Sequence, residues 1–150
     1  MKSIAAGAFA ACSETEEIHI PASVESIAEG AFNRCARLRT VTAAEGGPMR
    51  VFDGSLIDTA SGTLLIALNG AIPADAGVTR IGEYAFQPCK EIAGVYIPRG
   101  VTKIGAYAFA GCNKLRTVRF GGTEEEWSAV AVADGNPAIL SAKIEYSAEE

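Results

Sequence analysis

The chain is short of positive charge. Its 13 lysines and arginines stand against 18 acidic residues, a formal net charge of −5, and the basic residues are scattered. Without a basic stripe there is nothing to collect phosphates, so nucleic-acid binding is excluded. No apolar run reaches the roughly 18 residues that a bilayer-spanning helix needs. Aromatic residues make up only 7% of the chain, so any core is built mainly from alanine, isoleucine, valine and leucine. There is one histidine, His19, and no G-x-S-x-G, P-loop or H-E-x-x-H motif. "VFDG" and "DGNP" lack calcium-loop spacing. No cofactor is expected.

What is present is a repeat. The stretches "IAAGAFAAC", "IAEGAFNRC", "IGEYAFQPC" and "IGAYAFAGC" place Phe9, Phe32, Phe86 and Phe109 in one column and Cys12, Cys35, Cys89 and Cys112 in another. The step from Phe9 to Phe32 equals the step from Phe86 to Phe109, and the middle step is more than twice as long, so it holds one ordinary period and an insertion. Val24, Val78 and Val101 each precede an isoleucine by three positions, while Ile18, Val41, Val95 and Val118 follow the cysteine column. A period held at this many positions is the mark of a solenoid, in which each unit buries its apolar face only by stacking on its neighbours. The unit V-x-x-I-x-x-x-A-F-x-x-C-x-x-L-x-x-V-x-I-P divides into a short extended segment, a helical or 3₁₀ turn and a strand. The turn sets Phe and Cys on one side. The strand alternates with period two and ends at proline, which cannot donate to a ladder.

These residues resemble the BspA-like (Treponema-type) leucine-rich repeats, whose pattern is met by "VYIPRGVTKIGAYAFAGC" and "IHIPASVESIAEGAFNRC". The resemblance implies an α/β solenoid, a right-handed coil of short parallel strands with helical or 3₁₀ turns. It also implies a bacterial cell-surface or secreted protein with an adhesion-like role. The N-terminus "MKSIAAGAFAAC" imitates a lipoprotein signal, but its apolar stretch is too short and it matches the repeat, so no signal peptide is expected in this chain. The chain begins at a repeat boundary with no N-terminal cap, as a piece of a longer protein would.

The expected organisation is leucine-rich repeats over 1–120, regular over 1–41 and 78–120, with a hairpin-containing insertion over 42–77. "VFDGSLID" and "TLLIAL", joined by Thr59-Ala60-Ser61-Gly62, read as the hairpin. Residues 121–150 read as a C-terminal cap. There Thr123 and Glu126 form a capping box, Asn136-Pro137 starts a second helix, "KIEY" is a final strand, and Trp127 covers the last coil.

Four cysteines invite disulfide, metal and nucleophile readings. No two are closer than one full repeat, which denies the paired spacing of a zinc site, and equivalent ladder positions aim their side chains in parallel rather than at each other. They read as a buried column of small apolar thiols. His19 alternates outward between Ile18 and Ile20, so no dyad is expected. Candidate function moves to the outward strand positions: His19, Thr42, Tyr96 and Arg119 in one column, with Glu17 and Thr117 in the next. Tyr96 and Arg119 are the strongest candidates, because tyrosine and arginine are common interface anchors. The sequence therefore predicts a non-enzymatic module binding a protein or glycan through a strand face or the hairpin. Its rivals are a structural spacer and, more remotely, a cysteine hydrolase.

Overall fold

The computed structural model describes residues 3–4, 14–28, 30–32, 37–52, 54–68, 72, 77–86 and 91–147. In chain order these form β1 (Ser3–Ile4), β2 (Glu17–Ile20), β3 (Ser26–Ile27), β4 (Thr40–Ala43), β5 (Met49–Phe52), β6 (Ser55–Asp58), β7 (Thr63–Ala67), β8 (Arg80–Ile81), β9 (Gly94–Ile97), β10 (Lys103–Ile104) and β11 (Thr117–Phe120). The tail adds α1 (Glu124–Ser128), β12 (Ala131–Val132), α2 (Pro137–Ser141) and β13 (Lys143–Tyr146).

The sequence period is the register of the parallel ladders. Ser3 pairs with Ser26, Glu17 with Thr40, Lys103 with Arg80 and Thr117 with Gly94, each displaced by one unit. Each regular coil thus contributes a two-residue strand from its Val-x-x-Ile segment and a four-residue strand from Val-x-Ile. The second kind alternates as its composition requires: Ile18 and Ile20 are buried, Glu17 and His19 exposed.

The Ala-Phe segments are successive three-residue turns rather than α-helices. Ala85 N–H bonds the Gly82 carbonyl, Ala108 bonds Gly105, and Cys112 bonds Phe109, all at 3.1–3.3 Å. Tyr84 and Tyr107 interrupt any longer helix with φ of 61° and 57°, a left-handed conformation that costs a non-glycine residue about 1–2 kcal/mol. Gly30 holds the same column one copy earlier with φ 77°. The two tyrosines recover contact by stacking, with ring centres 5.5 Å apart. Inside, Ala85 and Ala108 are fully buried, and Phe86 and Phe109 stack at 4.5 Å. Phe9, Cys12, Cys35 and Cys89 fall outside the described residues.

The inserted hairpin carries an additional strand. "VFDGSLID" does not run as one strand, because it divides into β5 and β6, with Phe52 paired to Ser55 across a two-residue turn and Gly54 at φ 84°. The segment is thereby a three-stranded antiparallel meander of β5, β6 and β7. The last strand of that meander, β7, joins β8 in parallel and so carries the Val-x-x-Ile ladder onward: the sheet order is β12-β10-β8-β7-β6-β5.

The tail continues both ladders. β12 pairs with β10 and β13 with β11, in parallel, but Lys103 meets Ala131 and Thr117 meets Lys143, offsets longer than the regular period. The Thr123–Glu126 capping box is formed, and Arg99 holds Glu126 with a 2.7 Å ion pair. That guanidinium, followed by the Thr123 backbone N–H, keeps the Glu126 carboxyl below the usual carboxylate range. The associated stability is present above the unfolded-state pKa and is lost as pH falls through the folded one. Trp127 is half-buried against Phe120, ring centres 5.2 Å apart.

Asn136 is the N-cap of α2 with Pro137 following, as the sequence suggests, but its side chain makes no cap bond. It is buried, accepts from Phe109 N–H at 3.0 Å, and donates to the carbonyls of Gly105 and Ala133. In the preceding coils an N–H donates to a backbone carbonyl of the next coil instead: Ala67, at the end of β7, to Ala85, and Phe86 to Ala108, both at 2.8 Å. The Asn136 side chain therefore stands in for the backbone of a coil that no longer follows the repeat. Asn136→Ala leaves Phe109 N–H unsatisfied in the core and is expected to cost about 1–3 kcal/mol, a drop of several degrees in Tm by scanning calorimetry. A parental Tm would contradict this role.

Candidate functional site

The outward strand positions are delivered by alternation. On β2 and β4, His19 lies opposite Thr42 and Glu17 opposite Thr40, and His19 Nδ1 is hydrogen-bonded to Thr42 Oγ1 at 2.7 Å. On β9 and β11, Tyr96 lies opposite Arg119 and Gly94 opposite Thr117. The structure thus brings the candidates together as two groups on two parallel ladders. The strand segment that the repeat places between them falls on residues 69–72, of which 69–71 lie outside the described residues.

The tail enlarges the second group. β13 sets Glu145 beside Arg119 and Lys143 beside Thr117, so the outward rows read Tyr96, Arg119, Glu145 and Gly94, Thr117, Lys143. Sequence reasoning identified the strand but not its membership of these rows. The available signal was the alternation of K-I-E-Y, which puts Ile144 in the apolar column with Val118 and Val95.

Two glycines shape this face: Gly94, which alternation already places in the outward row with Glu17, Thr40 and Thr117, and Gly121, which sequence reasoning missed. Gly94, Val95, Tyr96, Thr117 and Arg119 line a shallow depression of about 270 Å³, present because Gly94 has no side chain. A Cβ there would approach nothing closer than the Thr117 carbonyl at 3.6 Å, ordinary contact. At Gly121 a Cβ would lie 2.6 Å from Tyr96 Oη. Glycine at that position is what lets the half-buried Tyr96 lean along the sheet. Arg119 is exposed, and its guanidinium is taken up by no ion pair among the described residues. Its surroundings differ from those of the charged column on the turns, where Arg37 pairs with Glu14 at 2.9 Å and Lys114 pairs with Glu91, both across one repeat. The face can therefore offer a cation, an aromatic ring, a threonine hydroxyl and a recess together.

Cys112 offers no such chemistry. It is a buried thiol with Sγ donating to the Phe86 carbonyl at 3.4 Å. It also touches a cavity of about 520 Å³ under α2 whose lining includes Tyr107, Arg116 and Ser141. His19 is exposed on β2, whose Ile18 and Ile20 belong to the other core cluster. Among the described residues no three His, Cys, Asp or Glu side chains converge as metal ligands, and no helix is long and apolar enough to cross a membrane.

The sequence pattern that defines the BspA type leucine-rich repeat region matches residues 1–53 and 69–134, in six copies. The unmatched stretch between them contains β6 and β7. No curated protein matches the chain. Among solved structures, the pneumococcal vaccine antigen PcpA aligns with 100% of this chain and 49% of its own, at 15% identity and a TM-score of 0.63. A leucine-rich repeat protein from Eubacterium ventriosum aligns with 71% of this chain and 36% of its own, at 18% identity and a TM-score of 0.51. These likenesses show the fold, and the chain spans about a third to a half of the length of those proteins.

Burial of Cys112 has a direct consequence for labelling. In the folded protein, maleimide followed by peptide mass mapping should leave Cys112 unmodified, and full reaction should appear only in denaturant. Rapid labelling of Cys112 in the native state would reopen the nucleophile reading.

Proposed function

Because the chain belongs to the BspA-type leucine-rich repeat family, we propose that it is a non-enzymatic binding module of a bacterial cell-surface or secreted protein, engaging a protein or glycan through its strand face. The observation that carries this reading is the recess at Gly94, flanked by Tyr96 and by Arg119, which has no ion-pair partner among the described residues. Repeat positions that build the coil are fixed by packing. Those facing outward on β9, β11 and β13 are not, and here they hold an aromatic ring, charges of both signs and a notch. Tyrosine and arginine in a recess are typical of positions where truncation costs most in a complex. His19 and Thr42 already bond each other, and with Glu17 they make a secondary, more polar part of the same proposal. Division into repeats over 1–120 and a cap over 121–150 remains part of this reading, with the cap supplying Lys143 and Glu145 to the face.

The test uses glycan and protein arrays probed with the parent, Arg119→Ala, Tyr96→Ala and Gly94→Thr. The last variant introduces the residue found at Thr40 and Thr117 and fills the recess without strain. For a partner found with the parent, each substitution should weaken binding by roughly thirtyfold, the equivalent of about 2 kcal/mol, with Tm unchanged. Equal binding by all four proteins would move the site off this face. A parent that binds nothing on either array would favour the spacer.

A further inference from the structure

Strand β5 ends the six-stranded order and, among the described residues, is paired with a strand on one side only. Thr59 N–H bonds the Pro48 carbonyl at 2.9 Å, which fixes the alternation of the β5–β6 ladder. Arg50 with Ile57 and Phe52 with Ser55 are the hydrogen-bonded pairs, whereas Met49 with Asp58 and Val51 with Leu56 are not. The N–H and C=O groups of Met49 and Val51 therefore point away from β6. They form no hydrogen bond with the described residues. Alongside runs a depression of about 390 Å³, walled on its other side by the segment from Ala43 to Gly47. Gly46 and Gly47 place no side chain in it, and a Cβ at Gly46 would meet nothing within 4 Å.

Natural sheets cover, shorten or charge such edges, because an open edge is a template for another strand. Here the outward charge on the edge is Arg50, which is exposed and forms no ion pair among the described residues. We propose that β5 is a strand-addition site, where an extended peptide pairs through its backbone with the half-buried Val51 and sets a carboxylate beside the exposed Arg50, while Met49 anchors the strand in the core. Glu45 on the far wall favours a basic residue elsewhere in the same peptide. A second copy is a poorer occupant. Two β5 strands meeting antiparallel about Arg50 would put Arg50 directly opposite Arg50 in a close, non-hydrogen-bonded pair, where like charges repel, and pairing about Val51 would face Arg50 with Phe52, which offers it no carboxylate. The proposal rests on the binding-module reading but uses a site distinct from the strand face.

The probe is a fluorescein-labelled ten-residue peptide alternating valine and threonine, with lysine at each end and a central glutamate. A second version carries lysine at the centre. Anisotropy titrations use the parent, Val51→Pro, Arg50→Glu and Gly94→Thr. Val51→Pro removes an outward N–H while leaving the ladder bonds of Arg50 and Phe52 to β6. The parent should bind the glutamate peptide saturably and prefer it to the lysine peptide. Val51→Pro should lose at least tenfold, and Gly94→Thr should bind as the parent does. Arg50→Glu, an exposed change that spares folding, should reverse the preference and so keeps the test decisive if Val51→Pro disturbs the strand. Absent or equal binding of both peptides by the parent, or an unchanged preference in Arg50→Glu, overturns the proposal. So does a dimer in sedimentation that Val51→Pro abolishes. Loss of peptide binding in Gly94→Thr alone would assign the peptide to the strand face instead.

Discussion

The side chains of β6 and β7 are divided between two cores. Leu56, Leu65 and Ile66 pack with Phe32, Val41 and Ile18, while Ile57, Leu64 and Ala67 pack with Phe86, Val95 and Phe109. Every residue of both strands is buried. A solenoid coil normally transmits order only to its immediate neighbours, so an insertion in its middle could have left two loosely joined halves. Here the insertion is the joint. A register shift between Leu56 and Ile57 in the pairing with β7 turns the consecutive Leu65 and Ile66 to the same side and gives the N-terminal core its share. With roughly 1.5–3 kcal/mol for each large aliphatic side chain fully buried, the five leucines and isoleucines of this partition rival the entire net stability of a typical domain.

From that wall outward the structure is set by register. The parallel ladders fix which residues stand side by side, and the column containing Glu14, Arg37, Glu91 and Lys114 shows the effect at the surface: acid and base alternate between successive copies. Exposed pairs of this kind contribute at most about 1 kcal/mol each, but a slip of one coil would oppose like charges. The same geometry assembles the binding face, because Tyr96, Arg119 and Glu145 are brought together from three coils that differ at those positions.

The constant repeat period made most of this legible in the sequence. Equal spacing of Phe86 and Phe109 places their rings in contact, and Val-x-Ile alternation separates buried from exposed positions without further information. The tail was harder to read, because its two strands rejoin the ladders at offsets that differ from the period and from each other, so no periodic comparison aligns Lys143 with Thr117. The third strand of the insertion depended on reading Asp-Gly inside an apolar run as a turn. Left-handed Tyr84 and Tyr107 ran against their residue type, and only the matching Gly30 hinted at them. The part played by Gly94 and Gly121 is relational: one is an empty place beside Arg119, the other a place kept clear for Tyr96, and neither appears until the strands are side by side.

Whether β6 and β7 join the two halves can be read most directly from native-state hydrogen exchange of Leu56→Ala against the parent. Leu56 packs only in the N-terminal core, yet the slowest amides of β2 and β4 and those of β9 and β11 should lose protection by the same factor, because the halves unfold as one unit through the shared wall. Loss of protection confined to β2 and β4, with β9 and β11 unchanged, would contradict that coupling.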